Sequence, residues 1–179
     1  ISQMPQILQG FHIDTACLWR GVPEDKPTLV WWQAPDGTQV LLAHLYTSYG
    51  NGAHWPAADE SQSIYELQQA FEALAPHNPI THTLVMRSSD HLEPRPALPQ
   101  HLRAVNQARE GQKVARHSTL PAYLAAATHE ISEKQLDLET INGELRDPRK
   151  AHMLPGVLSA RMWIKQRNHH AQTLLERWV

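Results

Sequence analysis

The alternation of β-rich runs with helical segments constrains the fold of this 179-residue chain more than any other feature. The apolar run 81–86 reads as a strand buried on both faces, and it leads directly into the polar tip 87–91. Helices are predicted at 61–75, 99–110 and 121–129, with a short strand around Val114. Strand, polar tip and helix in repeated order predict βαβ units and a parallel sheet.

The upstream part of the chain is predicted to hold a helix and three strands. The helix covers 4–9, with Pro5 in its first turn, and stops at Gly10. A strand at 15–19 follows, and the β-rich runs 28–33 and 38–45 are joined through an Asp-Gly turn that predicts a hairpin. The next stretch, 46–60, is rich in glycine and reads as a long loop, a type of segment that is often functional.

The pattern changes after Gly143. The stretch 157–178 reads as one long helix, and apolar residues recur along it at seven-residue spacing: Val157, Ile164, Ala171 and Trp178. We therefore expect an α/β domain over 1–145. The first long helix of a helical bundle is expected within 146–179, and its packing partners are expected elsewhere.

Composition narrows the classes of partner. With 41% apolar residues, 19% charged residues and no apolar run long enough to cross a bilayer, the chain reads as soluble and globular. Its 16 basic residues are scattered among 18 acidic ones, which disfavours nucleic acid and favours a polar small molecule. The single Cys17 excludes an internal disulfide, reads as a buried thiol, and favours a reduced, cytoplasmic setting. The start at Ile1 suggests a chain that begins partway through a longer protein.

Asp90 is the first candidate for chemistry. It follows the predicted strand 81–86 within four residues, and reactive side chains collect at the carboxyl ends of parallel strands. Judged by pattern alone, an acidic residue at a strand end is more often a helix cap than a catalytic group.

Two pairs of residues that contain histidine raise the question of a metal site. His12 and Asp14 form an H-x-D pair, the kind of pair that holds zinc, but no third or fourth ligand is evident near them. His169 and His170 would point roughly 100° apart around a helix, so they are poor joint ligands. The sequence pattern therefore does not favour a metal site built entirely within this chain.

Aromatic residues are the natural candidates for sugar contact, because a pyranose stacks its apolar face on an aromatic ring. Tyr49, in the glycine-rich loop, is the strongest of them. The others are Tyr46, Trp31, Trp32 and Trp55, and one of the two adjacent tryptophans is expected in the core.

Seven short blocks, read in order, resemble the catalytic region of the bacterial branch of family 38 glycoside hydrolases, the α-mannosidases. They are QMPQIL (3–8), LWRGVP (18–23), SYGNG (48–52), SDHLEP (89–94), HSTLP (117–121), GELR (143–146) and LSAR (158–161). The resemblance implies part of a (β/α) barrel-like catalytic domain and cleavage of α-mannosides with retention of configuration. The family uses an aspartate nucleophile that also binds zinc, and a second aspartate as general acid/base.

By position, the resemblance implies three roles. Asp90 matches the general acid/base, Arg20 a polar group near the nucleophile and sugar, and Tyr49 a substrate-site residue. The nucleophile and every zinc ligand would fall outside this chain, so the remainder of its own polypeptide is an expected partner. The His12 pair would then be a decoy. One departure is 87–88, where relatives commonly have Asn-Gly before the acid/base block.

The implied mechanism needs two carboxyl groups about 5–5.5 Å apart, one attacking the anomeric carbon and one protonating the departing oxygen. Asp90 would have to start protonated, and partial burial is expected to help. Without the nucleophile the chain is predicted to be inactive by itself, and a homo-oligomer stays possible. Two alternatives remain: a non-catalytic sugar-binding or assembly module on the same scaffold, and a histidine-rich metal-binding protein.

Overall fold

The structure is a computed structural model that describes residues 1–53, 55, 59–87, 89–108, 114–155 and 161–178. Its strands are β1 (Thr15–Leu18), β2 (Leu29–Gln33), β3 (Gln39–His44) and β4 (Thr140–Asn142). Its helices are α1 (Met4–Gly10), α2 (Glu60–Leu74), α3 (Leu98–Ala108), α4 (Leu120–Glu133) and α5 (Met162–Arg177), and a 3-10 turn (Ala75–His77) follows α2.

The four strands form one sheet in the order β1-β3-β2-β4. β1 pairs in parallel with β3 and β4 in parallel with β2, whereas β2 and β3 are antiparallel. The α/β class and a mostly parallel sheet are thus confirmed, and so is the hairpin. In the hairpin turn, the Thr38 N–H donates to Asp36 Oδ1 at 3.0 Å, and Gly37 adopts a φ of +89°, a conformation that glycine favours.

The sheet is buried on both faces. Apolar residues follow one another along β2 and β3, and successive side chains of a strand point to opposite faces. One face carries Leu29, Leu41 and Ala43, which pack with residues of α4. The other carries Val30, Trp32, Val40 and Leu42, against which Met4 and Leu8 of α1 pack. Full burial of each such leucine stabilises the fold by about 1.5–3 kcal/mol, so this double-sided core is the main source of stability.

Helices α2 and α4 begin at side-chain caps. Asp59 accepts a hydrogen bond from the Gln62 N–H at 2.8 Å, and Thr119 accepts one from the Ala122 N–H at 3.3 Å. Helix α2 ends at Leu74, one residue before its predicted end, and Pro76 lies in the 3-10 turn that follows. Helix α4 runs four residues beyond its predicted end.

The predicted strand 81–86 is wrong: none of these residues belongs to a strand. Side chains take up the backbone groups that a neighbouring strand would bind. Glu130 Oε1 accepts from the Thr81 N–H at 2.8 Å, Asn78 Nδ2 donates to the His82 carbonyl at 2.8 Å, and Asn51 Oδ1 accepts from the Met86 N–H at 2.7 Å. The segment is half-buried along 82–87, not buried on both faces.

The short strand predicted around Val114 is also wrong within the described residues 114–119. Val114 is 75% exposed. The next residue, Ala115, has both its N–H and its carbonyl bonded to the side chain of Asn106, at 2.8 Å each. A single asparagine of α3 therefore satisfies the backbone that a strand would have paired.

The C-terminal helix α5 begins at Met162, and Arg161 before it has a φ of +53°, so the predicted continuous helix 157–178 is interrupted there. Residues 156–160 lie outside the described part. Along the predicted seam, Val157 is therefore not described, whereas Ile164 and Trp178 are 44% and 87% exposed. No residue of α5 is buried. Within the described residues, no helix combines the length and apolar character required to traverse a bilayer.

Candidate active site

The candidate site lies where β1 and β3 end. These strands are parallel, so their carboxyl ends reach the same edge of the sheet. The pairing continues one step further, because the Leu45 N–H donates to the Leu18 carbonyl at 2.8 Å. Trp19 and Arg20 follow β1, and Tyr49 follows β3 within a short loop. Side chains from two separate parts of the sequence are thereby collected at one edge.

The glycine-rich loop 48–52 is held against the extended segment 84–86. Asn51 binds that segment twice, because its Oδ1 accepts from the Met86 N–H at 2.7 Å and its Nδ2 donates to the Leu84 carbonyl at 3.5 Å. The Gly52 N–H donates to the Met86 carbonyl at 2.9 Å. A Cβ at position 52 would lie 2.6 Å from Val85 Cγ1, so this close approach requires glycine.

This docking brings Tyr49 to Asp90. The Tyr49 hydroxyl donates to Asp90 Oδ2 at 3.0 Å. The hydrogen bond to Asp90, and then the charge of that carboxylate, raise the pKa of Tyr49, while Arg20 acts in the opposite direction. The other carboxyl oxygen, Oδ1, makes no hydrogen bond to a described residue. One oxygen of the Asp90 carboxyl group is therefore oriented by the protein.

Asp90 is exposed, so the partial burial expected from its place after an apolar run is wrong. The physical reason is the absence of strand pairing in 81–86, which leaves the segment at the surface of the molecule. His91 comes next and has a φ of +60°, a left-handed conformation that is uncommon for a residue with a side chain. The chain turns sharply at this point and presents the carboxyl group outward.

Trp19 connects Arg20, the third candidate residue, to the pair of Tyr49 and Asp90. Its ring lies edge-to-face against Tyr49, with ring centroids 4.9 Å apart and an interplanar angle of 68°. Arg20 Cζ lies 4.7 Å from the centroid of the Trp19 ring, and Arg20 Nη1 donates to the His152 carbonyl at 2.7 Å. The structure thus brings together all three residues that the sequence singled out. Sequence reasoning missed Trp19, although it lies inside the LWRGVP block.

The backbone after Trp19 and Arg20 is fixed by a close contact with the segment 145–153. Gly21 has a φ of +87°, and a Cβ there would lie 2.6 Å from the Leu145 carbonyl oxygen. The Asp147 N–H donates to the Gly21 carbonyl at 3.1 Å. Because only glycine fits this geometry, the direction in which the preceding Arg20 leaves the sheet is set locally.

The remaining aromatic candidates lie elsewhere. Trp32 is buried and its indole N–H donates to the Gly143 carbonyl at 2.8 Å, which confirms that one of the adjacent tryptophans belongs to the core. Trp31 is half-buried. Trp55 is 6% exposed and donates to the Ser63 carbonyl at 2.7 Å, so it is a packing residue with no free face to offer a sugar.

The ring of Tyr46 is in contact with other side chains. Its ring is stacked on His77 with centroids 3.9 Å apart, and the Lys150 ammonium lies over the same ring. Burial lowers the pKa of Lys150 to about 8, against the opposing effect of Glu24. This cluster ties the segment around Lys150 to the end of β3.

Among the described residues, Asp90 and the side chains that join it to the cluster do not form a metal site. Those side chains offer a phenol, an indole and a guanidinium, none of which is an ordinary zinc ligand. Elsewhere in the described ranges, no group of three or more His, Cys, Asp or Glu side chains is placed to hold a metal ion. His12, with a φ of +59°, and Asp14 are both exposed. No step of a reaction can be assigned to zinc held by these residues.

A cleft of about 690 Å³ opens between the extended segments 81–87 and 114–120. Its walls are mostly apolar, and they include Phe71, Met86 and Leu102. The three candidate residues, Arg20, Tyr49 and Asp90, do not line it. The cleft is therefore separate from the cluster at the ends of β1 and β3.

Comparison with known proteins identifies relatives of one kind. The chain is 32% identical over 192 aligned positions to the "Putative mannosylglycerate hydrolase" of Halalkalibacterium halodurans, covering 97% of this chain and 20% of that protein. It therefore spans about a fifth of the length of that curated relative. No protein-family model matches the chain.

Two solved structures share the fold. An α-mannosidase from Enterococcus faecalis V583 matches with a TM-score of 0.72 and 26% identity, over 81% of this chain and 16% of that one. A protein in glycosyl hydrolase family 38 from Enterococcus faecalis matches with a TM-score of 0.57 and 21% identity, over 80% of this chain and 14% of that one. The second likeness concerns the fold alone.

Proposed function

This chain belongs to glycoside hydrolase family 38, and on that premise we propose that it forms part of the catalytic region of a retaining α-mannosidase. The activity would be that of a longer polypeptide, since the chain covers only a fifth of its curated relative. The observation on which the proposal rests is the hydrogen bond from Tyr49 to Asp90, with Arg20 close by.

In the proposed reaction, Asp90 is the general acid and then the general base. Held through Oδ2 by Tyr49, it would donate a proton from Oδ1 to the departing glycosidic oxygen. A second carboxylate, supplied from outside this chain and about 5–5.5 Å away, would attack the anomeric carbon. In the second step Asp90 would take a proton from the water that releases the sugar.

Arg20 and Tyr49 would contact the substrate. Arg20 is fixed by the His152 carbonyl, so its charge is held in place without ordering the side chain at each turnover. Tyr49 is exposed enough at the loop to face a sugar while its hydroxyl holds Asp90. Zinc, in this proposal, would be held by ligands outside this chain, and no step is assigned to it here.

The finer architecture is part of the same proposal. Residues 1–145 would belong to a (β/α) barrel-like catalytic domain, and 146–179 would open a helical bundle of which α5 is the first long helix. The exposed apolar side chains of α5 support the second point, because a helix with this surface is stable when other helices cover it. A cytoplasmic location is proposed on the single free Cys17.

The test uses the isolated chain and the complete reading frame that contains it. Both are assayed with 4-nitrophenyl α-mannoside and with mannosylglycerate, and the anomer first released is identified by proton NMR. We expect no turnover by the isolated chain, and release of the α-anomer by the complete polypeptide. Release of the β-anomer would contradict retention. A complete polypeptide that binds mannose without turnover would instead favour the non-catalytic module.

A further inference from the structure

Trp19 lies between the candidate residues Tyr49 and Arg20, and no hydrogen bond of its side chain to a described residue accounts for its position. Its ring contacts Tyr49 on one side of the cluster and the guanidinium of Arg20 on another. Tyr49 in turn reaches Asp90. The indole therefore contacts both proposed substrate residues.

The indole is held by ring contacts and not by its N–H. Trp19 Nε1 is buried and has no hydrogen-bond partner among the described residues. A buried donor without an acceptor is unfavourable. Because the N–H works against this placement, the edge-to-face contact with Tyr49 and the cation–π contact with Arg20 must favour it.

The backbone on both sides of Trp19 is held in place. It follows β1 directly, and β1 is paired with β3 up to the bond between Leu45 and Leu18. On its other side the chain is fixed at Gly21 by the contact with Leu145. Tyr49, by contrast, lies in a loop. A rigidly mounted ring that lies against a loop tyrosine restricts the rotation of that tyrosine.

We propose that Trp19 is a positioning residue that holds the Tyr49 ring so that its hydroxyl reaches Asp90. This role rests on the proposed function, in which Asp90 is the acid. Trp19 itself would not touch the reacting atoms. A phenylalanine at this position would preserve the edge contact and remove the unpartnered N–H, whereas a leucine would fill similar space without an aromatic edge.

The test follows the titration of Tyr49 in the isolated chain, with tyrosine labelled at 13Cζ and the signal assigned through Tyr49→Phe. Trp19→Leu should lower the pKa of Tyr49 toward that of a free tyrosine, as Asp90→Asn should, and Trp19→Phe should leave it as in the unchanged chain. Circular dichroism and the Tyr123 signal report whether each variant is folded.

An unchanged Tyr49 titration in folded Trp19→Leu would overturn the proposal, and so would a Trp19→Phe variant that behaves like the leucine variant. If the leucine variant does not fold, the cross-relaxation between the ring protons of Trp19 and Tyr49 in the unchanged chain decides. Its presence supports the contact, and its absence overturns it. None of these results depends on hydrolysis, so failure of the proposed function would be seen separately.

Discussion

The sheet and the extended segments of 81–119, which are 81–87 and 114–119, satisfy their backbones in different ways. In the sheet, N–H and carbonyl groups pair strand to strand, and the apolar side chains pack on both faces. In the other stretch, polar side chains from a loop and from helices bind an extended backbone at single points: Asn51, Asn78, Asn106 and Glu130. An apolar, β-rich run therefore predicts an extended backbone, but strand pairing also requires a partner edge.

This difference has an energetic consequence. In the sheet the stabilising contacts are spread over many residues, whereas in 81–119 each is concentrated in one side chain. Single substitutions at these side chains should consequently have effects out of proportion to their size. Since Asn51 and Gly52 also hold the loop of Tyr49, such substitutions should disturb the candidate site as well.

The largest effect is expected at Glu130, whose side chain is 6% exposed. Burial alone would raise its pKa, but Lys134, Thr81 and His82 together lower the pKa to about 2. A carboxylate stabilised to this extent contributes about 3 kcal/mol to the free energy of unfolding. Glu130→Gln should lose most of that amount in a urea titration.

The exposed Glu133 on the same helix provides the matched control, because it is 67% exposed and its contact is a 3.8 Å pair with His129. Glu133→Gln should change the free energy of unfolding by less than about 0.5 kcal/mol. Equal effects of the two substitutions would show that the Glu130 contacts do not anchor the segment.

The Glu130 carboxylate should also make the free energy of unfolding depend on pH. Its pKa in the folded chain, about 2, lies below the ordinary value of 4.5. Its contribution is therefore fully present above about pH 5 and is lost as the pH falls from there toward 2. Urea titrations at pH 7, 4 and 3 should show this loss in the unchanged chain. In Glu130→Gln, stability should fall less over the same range.

A smaller effect is expected at Gly52. The Cβ of Gly52→Ala would lie 2.6 Å from Val85 Cγ1 and 3.1 Å from the Met86 carbonyl oxygen, so the loop must move away. We expect a loss of about 1–3 kcal/mol and a fall in the pKa of Tyr49 as its hydroxyl leaves Asp90. Gly10→Ala is the control, because nothing lies within 4 Å of a Cβ there. A Gly52→Ala variant as stable as that control would contradict the close docking of the loop.

The smallest effect is expected at Asn51. Asn51→Ala removes the acceptor of the Met86 N–H and the donor to the Leu84 carbonyl, at an expected loss of about 1 kcal/mol. Amide hydrogen exchange at Met86 should accelerate more than exchange at Leu42 in β3. Asn142→Ala, at the exposed end of β4, should leave both rates unchanged. Equal acceleration at Met86 and Leu42 would mean that the two regions unfold together.

The sequence predicted those elements whose signals are local. The Asp-Gly turn between two β-rich runs acts within a few residues, and the hairpin that it predicts is confirmed. The helix predicted at 61–75 is confirmed as α2. The side-chain contacts of 81–119 could not be predicted in this way. They join residues far apart in the chain, such as Thr81 and Glu130, and a polar side chain carries no sign of its distant partner.

The same distinction between local and distant signals explains why the candidate site was predicted only in part. Asp90, Arg20 and Tyr49 lie in motifs that can be recognised one at a time, and the structure brings them together. Their joint geometry depends on the parallel pairing of β1 and β3, which places Trp19 between Tyr49 and Arg20. The exposure of Asp90 was missed, because the apolar run before it suggested a buried strand.

The central claim, that Asp90 protonates the leaving oxygen, is tested most directly by changing how much the leaving group needs that proton. In the complete polypeptide, Asp90→Ala should lower kcat/KM by about 10²–10⁴-fold on an alkyl α-mannoside, whose leaving group is a poor one. The loss on 2,4-dinitrophenyl α-mannoside, which departs without help, should be far smaller. An alkyl mannoside hydrolysed at the original rate by the alanine variant would contradict the account.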